Sequence, residues 1–115
     1  MQRGEIRLVD LEPVRGSEAD KGRPAVIVSN DGANLAAARL GRGVVTVVPV
    51  TSATDRVYPF QVLLRAAGTG LRDDSKAQAE QVRAVAVERL GARVGMLSPA
   101  LMADLDEALR LHLAL

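Results

Sequence analysis

GVVTVVPV, residues 43–50, is the stretch on which the fold turns. Five of its eight residues are valine and a sixth is threonine, and β-branched side chains of this kind favour extended backbone. It is the strongest strand signal in the chain, with Pro49 near its end marking a sheet edge or a bulge. Upstream, Arg23-Pro24-Ala25-Val26-Ile27-Val28-Ser29 reads as a second, buried strand. Pro24 is tolerated there because the first residue of a strand need not donate to the ladder, and it biases Arg23 toward extended backbone. Residues 4–11 mix Ile6, Leu8, Val9 and Leu11 with charges near a spacing of two and form another strand. Between these two lies a long polar loop, 12–22, with Pro13, Gly16, Ser17, Asp20 and Gly22.

Working downstream, Asn30-Asp31-Gly32 marks a turn, and residues 33–40 (ANLAAARL) form a short helix or a loop with helical propensity. Residues 51–56 are a polar loop. Residues 58–64 read as a strand with Pro59 near its start, 66–74 as turns, 78–90 as strand rather than helix, and 93–97 as a last short strand. Ser98-Pro99 opens a helix, with Ser as N-cap and Pro at the first helical position. Leu101, Leu105, Ala108 and Leu109 share one face of it, with Met102 and Leu113 beside them. Short strands followed by one helix predict a mainly β architecture, a small barrel or sheet with a terminal helix packed on it, in one domain spanning residues 1–115.

Composition narrows the function by exclusion. The chain has 115 residues, 48% of them hydrophobic and 25% charged, and a formal net charge of +1, so it is not a uniformly basic nucleic-acid binder, although a local basic face is open to it. Thirteen of its fifteen cations are Arg, the side chain better suited to bidentate contacts with phosphate. With no Cys and one His, structural zinc, thiol catalysis and His-pair acid–base chemistry lack their groups. One Tyr, one Phe and no Trp argue against a large aromatic platform for stacking bases. No stretch approaches the roughly 20 apolar residues needed to span a bilayer, and no signal-peptide core is visible; the expectation is a cytoplasmic protein with no membrane partner.

Four pieces stand in one order: RGEIRLVDLEPVRGSE (3–18), KGRPAVIVSND (21–31), VVTVVPVTS (44–52) and AEQVRAVAVERLG (79–91), with YPFQVLL (58–64) among them. Together they resemble the MazF/PemK family of bacterial toxin endoribonucleases over nearly the whole chain. The resemblance implies a small SH3-like β-barrel of the MazF/PemK/CcdB type with a C-terminal helix, assembled as a homodimer. It implies the toxin of a type II toxin–antitoxin system, cutting single-stranded RNA at short sequence motifs without a metal or other cofactor. The RNA would be messenger, transfer or ribosomal, and a disordered segment of a cognate antitoxin would lie across the active groove. By the same resemblance Arg23 and Thr51 occupy the catalytic positions, with Ser52 the second choice for the hydroxyl.

The chemistry asks for such a pair. When RNA is cut by its own 2′-hydroxyl, negative charge builds on the non-bridging phosphate oxygens, and a fixed cation and a hydrogen-bond donor aimed at them stabilise the transition state. Arg23 offers a forked donor set and Thr51 a hydroxyl. Arg is a poor literal acid because its guanidinium holds its proton tightly, so charge stabilisation is its first role. Glu80 lies where some relatives carry an acidic group, but Gln78 stands where those relatives carry an Arg; Glu18 is the other candidate base. Lys21, Ser52, Arg56, Glu80 and Gln81 complete the set of expected substrate-binding residues with Glu18.

Each residue also has a plainer reading. Arg23 could pair with Asp20 or Asp31 at the surface. Thr51 and Ser52 could bond the backbone of a turn, and Gln81 could satisfy a strand end instead of reading a base. Arg39, Arg42 and Arg56 could track phosphates or be solvated loop charges, and His112 reads as a surface residue compatible with the helix dipole. Loops 12–22, 30–43 and 52–57 are expected to line the groove and set base preference. The competing function is a non-catalytic module of the same fold that inhibits a protein target such as DNA gyrase.

Overall fold

The computed structural model describes residues 1–11 and 22–115. Seven strands run in the order β1 (Glu5–Val9), β2 (Arg23–Ile27), β3 (Val44–Thr51), β4 (Gln61–Leu64), β5 (Ser75–Gln78), β6 (Arg83–Ala86) and β7 (Leu90–Met96). Helix α1 (Asp31–Leu40) joins β2 to β3, and helix α2 (Pro99–Leu113) closes the chain. The strands pair antiparallel in the spatial order β4-β5-β3-β2-β1-β7, with β6 on β3 as well. Mainly β with a C-terminal helix is therefore the observed class. "Barrel" describes only the curvature, because the described ladder ends at β4 and β7 with no pairing between them.

β3 is the hub. One of its edges takes β2, through Ala25↔Pro49, Val26↔Val48 and Ile27↔Val47. Its other edge takes β6 along Val44 to Val47 and then β5 at Val50 and Thr51. The chain between β5 and β6 therefore has to skip two positions of β3, and it does so in a 3₁₀ turn, Ala79–Gln81. This is why residues 78–90, expected as one strand, are divided: the turn separates β5 from β6, and a second 3₁₀ turn, Val87–Arg89, separates β6 from β7.

The unbroken apolar runs of β2 and β3 have a simple cause: both of their faces are buried. Val26, Val48 and Val50 join Ile6, Leu64, Ala77 and Leu97 in one core, roofed by Leu105 and Ala108 of α2. Ala25, Ile27, Val45 and Val47 join Val9 and Val85 in a second core, on which Ala37 of α1 sits. Alternate residues of two strands thus feed two cores, and the central ladder is rigid from both sides.

Two local expectations change. Asn30 is a helix cap rather than part of a free turn: its Oδ1 accepts the Ala33 N–H at 2.8 Å, so α1 begins at Asp31 and ends at Gly41 with φ 63°. Residues 58–60, expected inside a strand, form a turn instead, with the Gln61 N–H donating to the Tyr58 carbonyl at 2.8 Å across Pro59. Proline at the second turn position fixes its φ and denies the strand a donor.

Candidate active site

The register of the sheet assembles the site. Arg23 pairs with Val9 on one side of β2. The β2–β3 pairing itself ends at Ala25↔Pro49, and the same register carried two residues further would align Arg23 with Thr51. Thr51 in turn pairs with Lys76 of β5, and Lys76 with Leu63 of β4. One row across one face of the sheet therefore reads Val9, Arg23, Thr51, Lys76, Leu63, with adjacent strands about 4.8 Å apart. Cross-strand neighbours at that spacing can close on a single phosphate group.

The chemistry of the row is cationic around a hydroxyl. Arg23 is exposed, and among the described residues its guanidinium makes no hydrogen bond or ion pair. Of the two surface partners suggested for it, Asp31 accepts the Arg3 N–H on Oδ1 at 2.7 Å, and Asp20 lies outside the described residues. Thr51 is half-buried, and its Oγ1 accepts the Ala53 N–H at 3.2 Å. That bond is the turn contact of the plainer reading, yet it uses only a lone pair, and the hydroxyl proton is left to donate outward. Lys76, buried along its stem, donates from Nζ to the Arg56 carbonyl at 2.6 Å and so ties the 51–58 segment to β5. Lys76 was missing from the sequence reading; its signal was positional, a charged residue inside a strand facing the hydroxyl.

The other expected residues fall into three groups. Ser52 and Arg56 are exposed in the segment that leaves Thr51, and Gln81 is exposed in the 3₁₀ turn that flanks β3 between its β5 and β6 pairings. Glu80, in the same turn, accepts the Gln61 amide at Oε2 at 2.7 Å, while its buried Oε1 has no hydrogen-bond partner among the described residues. Glu18 and Lys21 lie outside the described residues, as do Asp20 and most of loop 12–22. Segment 30–43 is a correction to the groove expectation. It leaves β2 at the end opposite Arg23 and enters β3 at the end opposite Thr51, so Arg39 and Arg42 are a strand's length from the row. Among the described residues no three His, Cys, Asp or Glu side chains gather into a metal-binding group.

The two aromatic residues of the chain also lie here. Tyr58 and Phe60 stack with ring centres 5.3 Å apart and planes 2° from parallel. Arg56 donates to the Tyr58 hydroxyl at 3.3 Å, and Lys76 Nζ is 6.0 Å from the ring centre. Composition argued against a large platform, and the two rings form a small one.

Comparison with known proteins agrees with this architecture. Residues 2–113 match the model of the PemK-like, MazF-like toxins of type II toxin–antitoxin systems. The chain belongs to that family. It is 65% identical to the endoribonuclease MazF9 of Mycobacterium tuberculosis over all of this chain and 98% of that one. It is 30% identical to the endoribonuclease EndoA of Bacillus subtilis over 100% and 96% of the two chains. A solved mycobacterial endoribonuclease in complex with its cognate antitoxin superposes with a TM-score of 0.78 at 27% identity, covering 100% of this chain and 96% of the other. Among the described residues no helix of this family member is long and apolar enough to cross a membrane.

Proposed function

We propose that the protein is a toxin endoribonuclease that cuts single-stranded RNA at the Arg23–Thr51 pair, without a metal, by attack of the RNA's own 2′-hydroxyl. The observation that supports this reading is the β2–β3 register, which, carried two residues beyond Ala25↔Pro49, aligns an exposed Arg23, without a partner among the described residues, with Thr51 and with Lys76 behind it. The relatives' endoribonuclease names support an RNA-cleaving enzyme and do not favour the gyrase-inhibitor alternative.

The reaction is a transesterification. The 2′-oxygen bonds to the adjacent phosphorus as its proton leaves, the bond from phosphorus to the 5′-oxygen breaks, and that oxygen takes a proton. The products are a 2′,3′-cyclic phosphate and a 5′-hydroxyl. Arg23 stabilises charge on the non-bridging oxygens, Thr51 donates a hydrogen bond to one of them, and Lys76 adds a second positive charge. DNA of the same sequence lacks the attacking group and stays intact.

The test is cleavage of a long single-stranded RNA in EDTA. Discrete fragments with 5′-hydroxyl ends are expected from the wild type, none from the DNA counterpart, and none from Arg23→Ala. Intact RNA across several sequences, with gyrase supercoiling inhibited instead, would establish the alternative.

Three further parts of the reading follow. The natural partner is an antitoxin whose acidic, poorly folded segment covers the cationic row; a cognate partner that leaves Arg23 open to RNA would contradict this. The working form is a homodimer. Leu63 of the edge strand β4 and Leu111 of α2 border a groove of about 560 Å³, and both are exposed. Such a surface is a natural self-association site, and Leu111→Glu should shift the sedimenting mass toward the monomer. The site of action is the cytoplasm, where RNA substrates are found.

A further inference from the structure

We propose that the Tyr58 ring, backed by Phe60, is a stacking seat for one base of the RNA beside the scissile phosphate. This deepens the nuclease reading and rests on it.

An aromatic pair with no other task would be buried. Here Tyr58 keeps 41% of its surface exposed, while Phe60 lies flat against one of its faces. The turn that carries the pair is fastened in depth. The Tyr58 N–H donates to Gln61 Oε1 at 3.1 Å, the Gln61 N–H returns to the Tyr58 carbonyl, and the Gln61 amide donates to the half-buried Glu80 carboxylate at 2.7 Å. An exposed ring held by a charge-assisted chain and a proline is preorganised, so binding to it loses less conformational entropy.

Two cations lie within cation–π distance of the ring: the Arg56 guanidinium, which also bonds the Tyr58 hydroxyl, is 5.9 Å from the ring centre, and Lys76 Nζ is 6.0 Å from it. Lys76 is the link to the chemistry. Its Cα faces Thr51 across the ladder, and its Nζ bonds the Arg56 carbonyl within cation–π distance of the Tyr58 ring. A phosphate on Arg23 and Thr51 and a base on Tyr58 would thus lie on either side of one lysine, a separation suited to neighbouring nucleotides. Stacking of a base on an aromatic ring is tolerant of base identity. The seat therefore contributes affinity and register, and leaves base discrimination to hydrogen-bonding groups such as Gln81.

The experiment uses a short RNA carrying the motif the protein cuts, with a 2′-deoxy ribose at the cleavage position to block the reaction. 2-Aminopurine is placed at each position in turn, and its fluorescence is read on binding. Wild type should quench it at one position flanking the cleavage site, Tyr58→Phe should keep that quench, and Tyr58→Ala should remove it. On cleavable RNA, Tyr58→Ala should raise KM about ten- to hundredfold with kcat little changed, as expected for one lost base stack. Arg23→Ala should keep the quench and lose kcat. An abasic site at the quenched position should bring wild type to the Tyr58→Ala level and leave that variant unaffected, a comparison that does not depend on how well the variant folds. RNA cutting with the quench absent, or unchanged in Tyr58→Ala, overturns the seat and leaves the nuclease reading standing. A change of sedimenting mass in Tyr58→Ala with the quench intact also overturns it. A protein that quenches at Tyr58 but cuts no RNA keeps the seat and sinks the nuclease.

Discussion

Arg3 and Arg23 are the same side chain put to opposite uses. Arg3 is tied into the fold: its Nε donates to the Val28 carbonyl at 2.8 Å, its Nη2 pairs with Asp106 of α2 at 2.6 Å, and its backbone N–H donates to Asp31 at the start of α1. It stitches the N-terminus to both helices. Arg23 stands at the other end of β2, exposed and without a partner among the described residues. Where the fold uses a guanidinium, donors are met by protein acceptors; where none is met among the described residues, at an exposed strand end, they are available to a ligand. The two cores beneath β2 and β3 make the contrast possible, because the strands are held by their middles and need nothing from their ends.

The largest expected effect breaks the comparison at Arg23. Arg23→Ala should lower kcat for RNA cleavage by roughly 10²–10³, the cost of removing one preorganised charge-stabilising donor, with a melting temperature within error of wild type because no hydrogen bond or ion pair to a described residue is lost. Arg3→Ala should do the reverse, keeping kcat while losing stability by about 1 kcal/mol, since its ion pair is partly solvated. A denaturation curve and a single-turnover assay on both variants decide it. Loss of stability at Arg23 with cleavage retained would return that residue to a structural role.

Next in size is the support beneath the aromatic turn. Glu80→Gln keeps the shape but removes the charge that Gln61 bonds, so the Tyr58 turn should loosen. A KM increase of several-fold is expected, with kcat and its pH profile unchanged. An altered pH profile of kcat would instead make Glu80 the base, the other role the sequence allowed it.

Much of this was legible from the residues. The strands of β1, β2 and β3 and the Ser98-Pro99 helix start were readable because propensity, pattern and capping agree there. The alignment of Arg23 with Thr51 along the continued β2–β3 register was not, since register is a tertiary property and only the resemblance joined the two. The division of 78–90 escaped notice because its valines suit a strand anywhere, and only the need to change partners along β3 breaks it. Lys76 and Tyr58 escaped for the same reason: their meaning lies in what faces them across strands and turns, and composition counts the aromatics without saying that they touch.

The smallest effect sharpens the contrast from the buried end. Glu5, 5% exposed, sits in β1 with Oε1 on Arg7 at 2.8 Å and Oε2 on the Gln2 N–H at 3.2 Å. Burial pushes its pKa up, but the Arg7 and Gln2 hydrogen bonds, the positive N-terminus and the Arg7 charge together outweigh it and hold the carboxyl below its ordinary value. A lowered folded-state pKa means that the ionised form stabilises the fold. That contribution is complete above the ordinary carboxylate range and is lost as pH falls through the depressed value. Melting temperatures of wild type and Glu5→Gln, followed from neutral pH into acid, should therefore converge, from a gap worth about 1 kcal/mol or less given that Arg7 keeps part of its surface in water. The pair Arg23 and Arg23→Ala should show no such convergence, because no described carboxylate depends on that guanidinium. A gap at Glu5 that stays constant or widens on acidification would mean that its partners do not favour the charge, and that the buried end of β1 is held by packing alone.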